Sequence, residues 1–402
     1  MALSTTVGDF IIVGAGIIGL NIARELKRRY SDCRIIILEK EEREGKHASG
    51  RNSGVLHAGF YYTKDSLKAK FTKLGNAALT NYCLEKKIPI NRCGKLVVAR
   101  DAQDLKGLHE LLQRGKQNDI FLNLISAKEA LEIEPRIKTF EQALFSPTTS
   151  SVDPKIVLKH MVKDAEQEGI SIHFGTQYIN HKNNLLKTNK GFYSCGYLVN
   201  TAGLYADKIA KDFSFSKDFS ILPFKGIYLY ASNPDESLRT HVYPVPSLQN
   251  PFLGVHFTVG VNGSVKIGPT AIPAFWREQY EWLSKFKYRE LLEILCREVG
   301  LFFSAGFDFR QLAWGEMKKY NRKILVNHAA ELVHNIDKKN YAHWGRPGIR
   351  AQLLNVKTRK LEMDFILEGD NQSFHVLNAV SPAFTCSIPF TSYVADRIQA
   401  LI

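Results

Sequence analysis

The sequence predicts an α/β protein with a discontinuous Rossmann-like domain and a second, α+β domain built on a mixed sheet. Three features near the N-terminus carry the first part of that prediction. The apolar run Phe10-Ile11-Ile12-Val13 reads as a buried parallel strand. It leads directly into Gly14-Ala15-Gly16-Ile17-Ile18-Gly19, after which Ile18, Ile22 and Leu26 recur at helical spacing. A second apolar run, Ile35-Ile36-Ile37-Leu38, ends at Glu39, twenty residues past Gly19.

A GxGxxG alone is weak evidence, but here a strand precedes it, a helix follows it, and an acidic residue closes the next strand. Together these parts make a dinucleotide fingerprint. The glycines let the main chain approach a pyrophosphate, the helix N-terminus offers N–H groups and a positive dipole, and Glu39 can accept from a ribose hydroxyl. After Glu39 the chain does not enter another βα unit. It passes through residues 40–46 into GRNSGVLHAGFYY (residues 50–62), which is too polar for a core strand and lacks a helical period. A glycine-rich polar loop there suits a flavin ring lying beyond the pyrophosphate, and so favours FAD over NAD.

That loop, with SLKAKF (66–71), PFKG (223–226), VYPVP (242–246), NPFLGVHFT (250–258), GIRAQ (348–352) and HVLNAVSPAFTCS (375–387), closely resembles the L-2-hydroxyglutarate dehydrogenase and oxidase family. That family belongs to the D-amino-acid-oxidase-like flavoproteins. The resemblance runs in order from about residue 9 to the C-terminus. It implies FAD, and oxidation of a 2-hydroxy acid such as L-2-hydroxyglutarate to 2-oxoglutarate by hydride transfer to the flavin. Oxidation of glycerol 3-phosphate or a secondary amino acid stays open as an alternative, as does a flavin-binding assembly factor without turnover. The electron acceptor, whether quinone, oxygen or a carrier protein, is also open.

Further along, Asp153-Pro154 reads as a helix start, with Val157, Met161 and Ala165 on one face until Gly169. Residues 170–174 alternate as a strand, and Tyr197-Leu198-Val199-Asn200 leads into Thr201-Ala202-Gly203, which resembles the strand returning to the cofactor. Strand-like runs at 94–99, 226–230, 254–258 and 264–268 suggest a mixed sheet, and residues 276–303 read as a helix whose apolar residues Trp282, Phe286, Leu291, Leu295, Val299 and Phe303 pack on it, with a membrane-docking face as the alternative. Ser381-Pro382-Ala383 leads into a final helix in which Pro389 predicts a kink or a delayed start. The expected division is 1–84, 145–215 and 336–402 for the FAD-binding domain, and 85–144 with 216–335 for the substrate domain.

The chemistry needs a hydride acceptor, a base for the hydroxyl proton and positive charge for the carboxylates. Histidine suits the base because it titrates near neutrality. His57 in the opening loop and His256 in NPFLGVHFT are the two candidates. Arg350 in GIRAQ, a motif joining the two predicted domains, can grip a carboxylate through two parallel hydrogen bonds. Lys225 is a second cation, standing where the family usually has arginine, and Thr270 stands where asparagine is common. The expected cofactor contacts are Gly14, Gly16, Ile17, Ile18, Gly19, Glu39, Lys40, Arg51, Asn52, Ser53, Gly54, Ala202, Gly203, Ser381, Pro382, Ala383 and Thr385. No metal is expected, because the six cysteines lie far apart without a CxxC pair.

With 402 residues the chain is long enough for about two domains. Its longest apolar stretch, residues 10–20, is far short of a membrane span. The opening MALSTTVGD lacks a basic n-region and an Arg-rich amphipathic pattern, which reads as a cytoplasmic protein. Net charge is +14, spread over groups such as Lys27-Arg28-Arg29 and Lys357/Arg359/Lys360. Most of these are solvated faces, and an anionic membrane surface is the partner that such a charge would suit. The basic residues follow no nucleic-acid recognition module.

Overall fold

The computed structural model describes residues 5–232, 237–247, 252–304 and 309–402. The opening residues of MALSTTVGD and Asn250-Pro251 of NPFLGVHFT lie outside the described residues. The chain divides into two compact units: Met1–Asn52, Pro154–Pro223 and Arg350–Ile402 form the first, Ser53–Asp153 and Phe224–Ile349 the second.

The first unit is built on parallel strands in the order Ser171–His173, Ile35–Leu38, Thr6–Val13, Gly191–Asn200 and Ser373–Leu377. Ile35–Leu38 is buried throughout, as a strand covered on both faces must be. The long Gly191–Asn200 strand also pairs, at its start, with a hairpin of Tyr178–Lys182 and Leu185–Thr188. From the central Thr6–Val13 strand the sheet grows in both directions, so the chain ends at Val13 and Asn200 flank a topological switch point, where α/β sheets bind ligands. The helix Ile17–Arg29 follows the first strand and packs on the last helix, Ala383–Gln399, where Arg29 meets Asp396 at 2.7 Å and Ser392 O at 3.2 Å.

The second unit is built on a mixed sheet of eight strands: Tyr341–Trp344, Leu229–Ala231, Val265–Gly268, His256–Val259, His241–Pro244, Lys95–Val98, Gln142–Ser146 and Asn123–Ser126. Side chains alternate across a pleat, and here the alternation separates two environments. Leu96, Val98, Val242, Phe257, Val259, Val265 and Ile267 share one apolar core with Leu325, Val326 and Ala329 of the helix Arg322–Ala330. Each such side chain contributes about 1.5–3 kcal/mol on burial. On the opposite face Val97, Leu144 and Tyr243 pack with Phe60, Tyr61, Leu108 and Leu111, and beside them the sheet turns polar.

Several sequence expectations change. The helix expected over 276–303 is confined to Tyr288–Ser304, with 276–287 forming turns in which Trp276 Nε1 donates to Ser284 O at 2.8 Å. Four of its six supposed packing residues are exposed: Trp282 (92%), Phe286 (47%), Val299 (53%) and Phe303 (71%). The run 226–230 is broken between Phe219–Gly226 and Leu229–Ala231. The last helix starts at Ala383 without delay and carries Pro389 inside it, where Phe390 packs on Phe365 with ring centroids 4.4 Å apart. The border expected after residue 84 falls after Asn52, because the helix Leu67–Glu85 is tied to the second unit: Asn76 Nδ2 donates to Leu56 O, His57 O and Thr148 O.

Candidate active site

In the first unit the glycine turn is shaped by close approach. Gly14 has φ +107°, and a Cβ there would sit 2.7 Å from Thr201 O. At Gly19 a Cβ would lie 2.0 Å from Gly14 O and 2.6 Å from Thr201 Oγ1, so only glycine lets the helix Ile17–Arg29 pack this near the strand ends. Thr201 seals the contact, donating from Oγ1 to Val13 O at 2.9 Å. Gly16 differs: a Cβ there would meet only Ser49 Oγ, at 3.1 Å. Gly16 precedes the helix with no side-chain cap, and Ile17 N donates to Ser49 Oγ at 3.0 Å. Glu39 reaches back from the second strand to accept from Ala15 N at 2.9 Å.

The other expected contacts of this unit lie in three places. Arg51 Nε donates to Lys46 O at 2.6 Å and Asn52 Nδ2 to Ser49 O at 2.8 Å, so both brace the turn that carries Ser49. Lys40 pairs with Glu41 at 3.1 Å and lies 5.1 Å from the centre of the Tyr205 ring, next to the turn of Ala202 and Gly203. Ser381, Pro382, Ala383 and Thr385 form the start of the last helix, with Ile18 buried under the first. Arg350 is half-buried in the strand Gly348–Asn355 rather than in a loop. Ser49 and Thr201 were not singled out from sequence; the serine directly before the GRNSG loop gave no separate signal.

The second unit holds Ser53, Gly54, His57, Lys225 and His256, so the GRNSG stretch is divided between the units after Asn52. Here the pleat assembles a polar row. Lys95 lies opposite Ser146 on one side and His241 on the other; Val242 opposite Phe257 places His241 across from Thr258 and Tyr243 across from His256; Thr258 lies opposite Lys266, and Lys266 opposite Tyr230. The signal for this row was the alternation in HVYP, HFTV and VKIG, which sends His, Tyr, Thr and Lys to one side.

His256 is buried and stacks on Tyr243 with ring centroids 3.6 Å apart and planes 15° apart. Its Nδ1 lies 2.9 Å from Gly254 O, so Nδ1 carries the hydrogen and Nε2 the lone pair. Burial holds its pKa well below the ordinary histidine value, and the charge of Lys95, with that of His57 or His241 whenever they are protonated, acts in the same direction. His241 is pushed down to about 3 by burial, then by Lys95 and Lys266. Burial lowers Lys266 to about 8, with its ammonium donating to Ser53 O at 2.9 Å. Lys225 is buried and likewise lowered, while Thr270 Oγ1 donates to Lys225 O at 2.9 Å. The face can therefore hold an anion and offer a neutral imidazole.

Residues 9–390 match the DAO family of FAD dependent oxidoreductases. The chain is 35% identical over 394 residues to the L-2-hydroxyglutarate dehydrogenase of Indibacter alkaliphilus, covering 96% of this chain and 97% of that protein. It is 34% identical over 423 residues to the mitochondrial L-2-hydroxyglutarate dehydrogenase of Homo sapiens, covering 98% of this chain and 89% of that protein. The solved L-alpha-glycerophosphate oxidase of Mycoplasma pneumoniae, dithionite reduced with FAD bound, matches at TM-score 0.77 and 22% identity over 98% of this chain and 95% of that one, a likeness of fold.

The first unit fits FAD: the side-chain-free Gly16, where a Cβ would meet only Ser49 Oγ, the helix start that follows it and Glu39 are what a pyrophosphate and a ribose require. Gly16→Val should lower FAD affinity by about tenfold or more, equivalent to about 1.4 kcal/mol, with thermal stability of the apoprotein kept. Gly19→Val should lower both. Flavin absorbance per polypeptide together with a melting curve separates the two, and undiminished FAD content in Gly16→Val would refute the cradle.

Proposed function

Since the chain belongs to the FAD-dependent oxidoreductase family, we propose that it oxidises L-2-hydroxyglutarate to 2-oxoglutarate. The observation that carries this reading is identity of 32–35% along nearly the whole chain to proteins named L-2-hydroxyglutarate dehydrogenase in bacteria and mammals. Bound FAD supplies the hydride acceptor. His256 takes the hydroxyl proton at Nε2, the nitrogen left with a lone pair by the bond to Gly254 O. Tyr243 fixes the plane of that ring by stacking. Lys266, anchored on Ser53 O, and the buried Lys225 supply positive charge for the carboxylates. A dianion near these cations offsets the charge that depresses His256, raising its basicity when substrate is present. Glu39, Ser49 and the glycine turn bind FAD, together with Lys40, Arg51, Asn52, Ser53, Gly54, Ala202, Gly203 and the start of the last helix at Ser381, Pro382, Ala383 and Thr385. His57, in the loop after residue 52, is the second candidate for flavin contact or proton transfer.

The test is anaerobic titration of the yellow protein. L-2-hydroxyglutarate should bleach the oxidised flavin band, while D-2-hydroxyglutarate and glycerol 3-phosphate should not. His256→Asn should keep its FAD and slow bleaching by about 100-fold or more. Bleaching by glycerol 3-phosphate alone would overturn the substrate, and wild-type rates in His256→Asn would overturn the base.

A set of exposed apolar residues in the second unit favours an anionic membrane as the place where electrons leave. Among the described residues no helix is long and apolar enough to cross a membrane. In the second unit Trp282, Leu283, Phe303 and Trp314 are exposed by 92%, 72%, 71% and 67%. Lys285, Lys287, Arg289 and Arg297 fall between Leu283 and Phe303 in sequence and Lys318 and Lys319 follow Trp314, in a chain of net charge +14, although Lys285, Lys287 and Lys319 pair with Glu278, Glu290 and Glu316. Exposed aromatics with neighbouring cations suit a headgroup layer. Sedimentation with phosphatidylserine-containing vesicles should exceed that with neutral vesicles, and Trp282→Ser should reduce it; equal sedimentation would remove the membrane reading.

A further inference from the structure

Lys95 opens the strand Lys95–Val98 and is fully buried. A buried ammonium ordinarily pairs with a carboxylate or donates several hydrogen bonds. Lys95 Nζ does neither: it makes no hydrogen bond, and it is surrounded by the rings of Phe60, Tyr61 and Tyr243 at 4.8, 4.6 and 4.8 Å from their centroids. Aromatic faces carry negative charge density and can hold a cation, but they leave much of its desolvation uncompensated. Burial alone lowers this lysine to about 7.

The third ring of that cage, Tyr243, is the one on which His256 stacks at 3.6 Å. Protonating His256 would therefore place a second cation against a phenol ring that already holds Lys95. The titratable groups around this cluster are Tyr61 and His57 from the loop after residue 52, His241 and Tyr243 from the strand His241–Pro244, His256, and Lys266. Tyr62, Cys93 and Tyr228 act on Tyr243, and the carboxylate of Asp153 acts on Lys266. The groups that act on His256 itself are Lys95, His57 and His241, bases whose protonated forms disfavour a proton there, and His241, held to about 3, is neutral above that range.

We propose that Lys95 is a positioning residue for the reaction: its caged ammonium, acting through Tyr243, keeps the His256 ring unprotonated and so ready to receive the substrate's hydroxyl proton. This rests on His256 being the base. Below pH 7 Lys95 carries its charge, which covers the range in which an ordinary histidine would become protonated. Lys95 Nζ lies 4.8 Å and the His256 ring centre 3.6 Å from the centre of the Tyr243 ring, and at such range, with an effective dielectric of about 20, one charge shifts a neighbour by about one pH unit or more.

The experiment is an NMR pH titration of the FAD-loaded protein labelled with 15N-histidine, with the His256 signal identified by its loss in His256→Asn. In the wild type His256 should stay neutral well below pH 6.5. In Lys95→Met its midpoint should rise by about one pH unit, and Lys95→Arg should restore the wild-type value. The acid limb of the flavin-reduction rate should move by the same amount. The NMR arm uses no substrate, so it can fail independently of the substrate assignment. An unchanged His256 midpoint in Lys95→Met overturns the proposal; if that variant does not fold, Lys95→Gln is read by the same criterion.

Discussion

The structure of the first unit depends on one close contact, that between Gly19 and the main chain at Gly14, braced by Thr201. A side chain at either glycine would strike backbone at 2.0 or 2.7 Å, so the helix and the strand ends could not approach. Because they do approach, the helix begins at the switch point of the sheet with its first turn turned toward a ligand. Ser49 and Glu39 then bond Ile17 N and Ala15 N, fixing the loop without filling the place left by Gly16. Family membership and this local geometry agree on FAD.

In the second unit the governing constraint is the pleat. Leu96, Val242, Phe257 and Ile267 point into the apolar core, which obliges Lys95, His241, His256, Thr258 and Lys266 to share the other side. Burial there disfavours charge, and several basic groups within one small region disfavour it further. The result is a set of nitrogen bases held below their usual protonation range, with His241 at about 3 and Lys266 at about 8. Such a face gains most from an anionic partner.

Much of this was legible in the sequence where the signal was local. The glycine turn, its flanking strands and Glu39 occupy one short segment, and the start at Pro154 followed from its preceding aspartate. His256 stood out through its motif. What escaped depended on register between distant strands. Lys95 precedes Leu-Val-Val in a run that reads only as a strand, and nothing local places it beside His241 or under Tyr243. Apolar spacing also overextended one helix, because Trp282 and Leu283 are exposed residues of a turn region and Phe286 packs within that region on Trp276. The unit border was misplaced because Asn76 ties its helix to Leu56 and His57, a contact between segments that sequence does not pair.

The most direct test of the account is the cofactor content of the purified, folded protein. Flavin released by denaturation and identified by chromatography should be FAD, at about one per chain after reconstitution. Folded protein that remains colourless in excess FAD, with its thermal stability unchanged by the nucleotide, would contradict the account at its base.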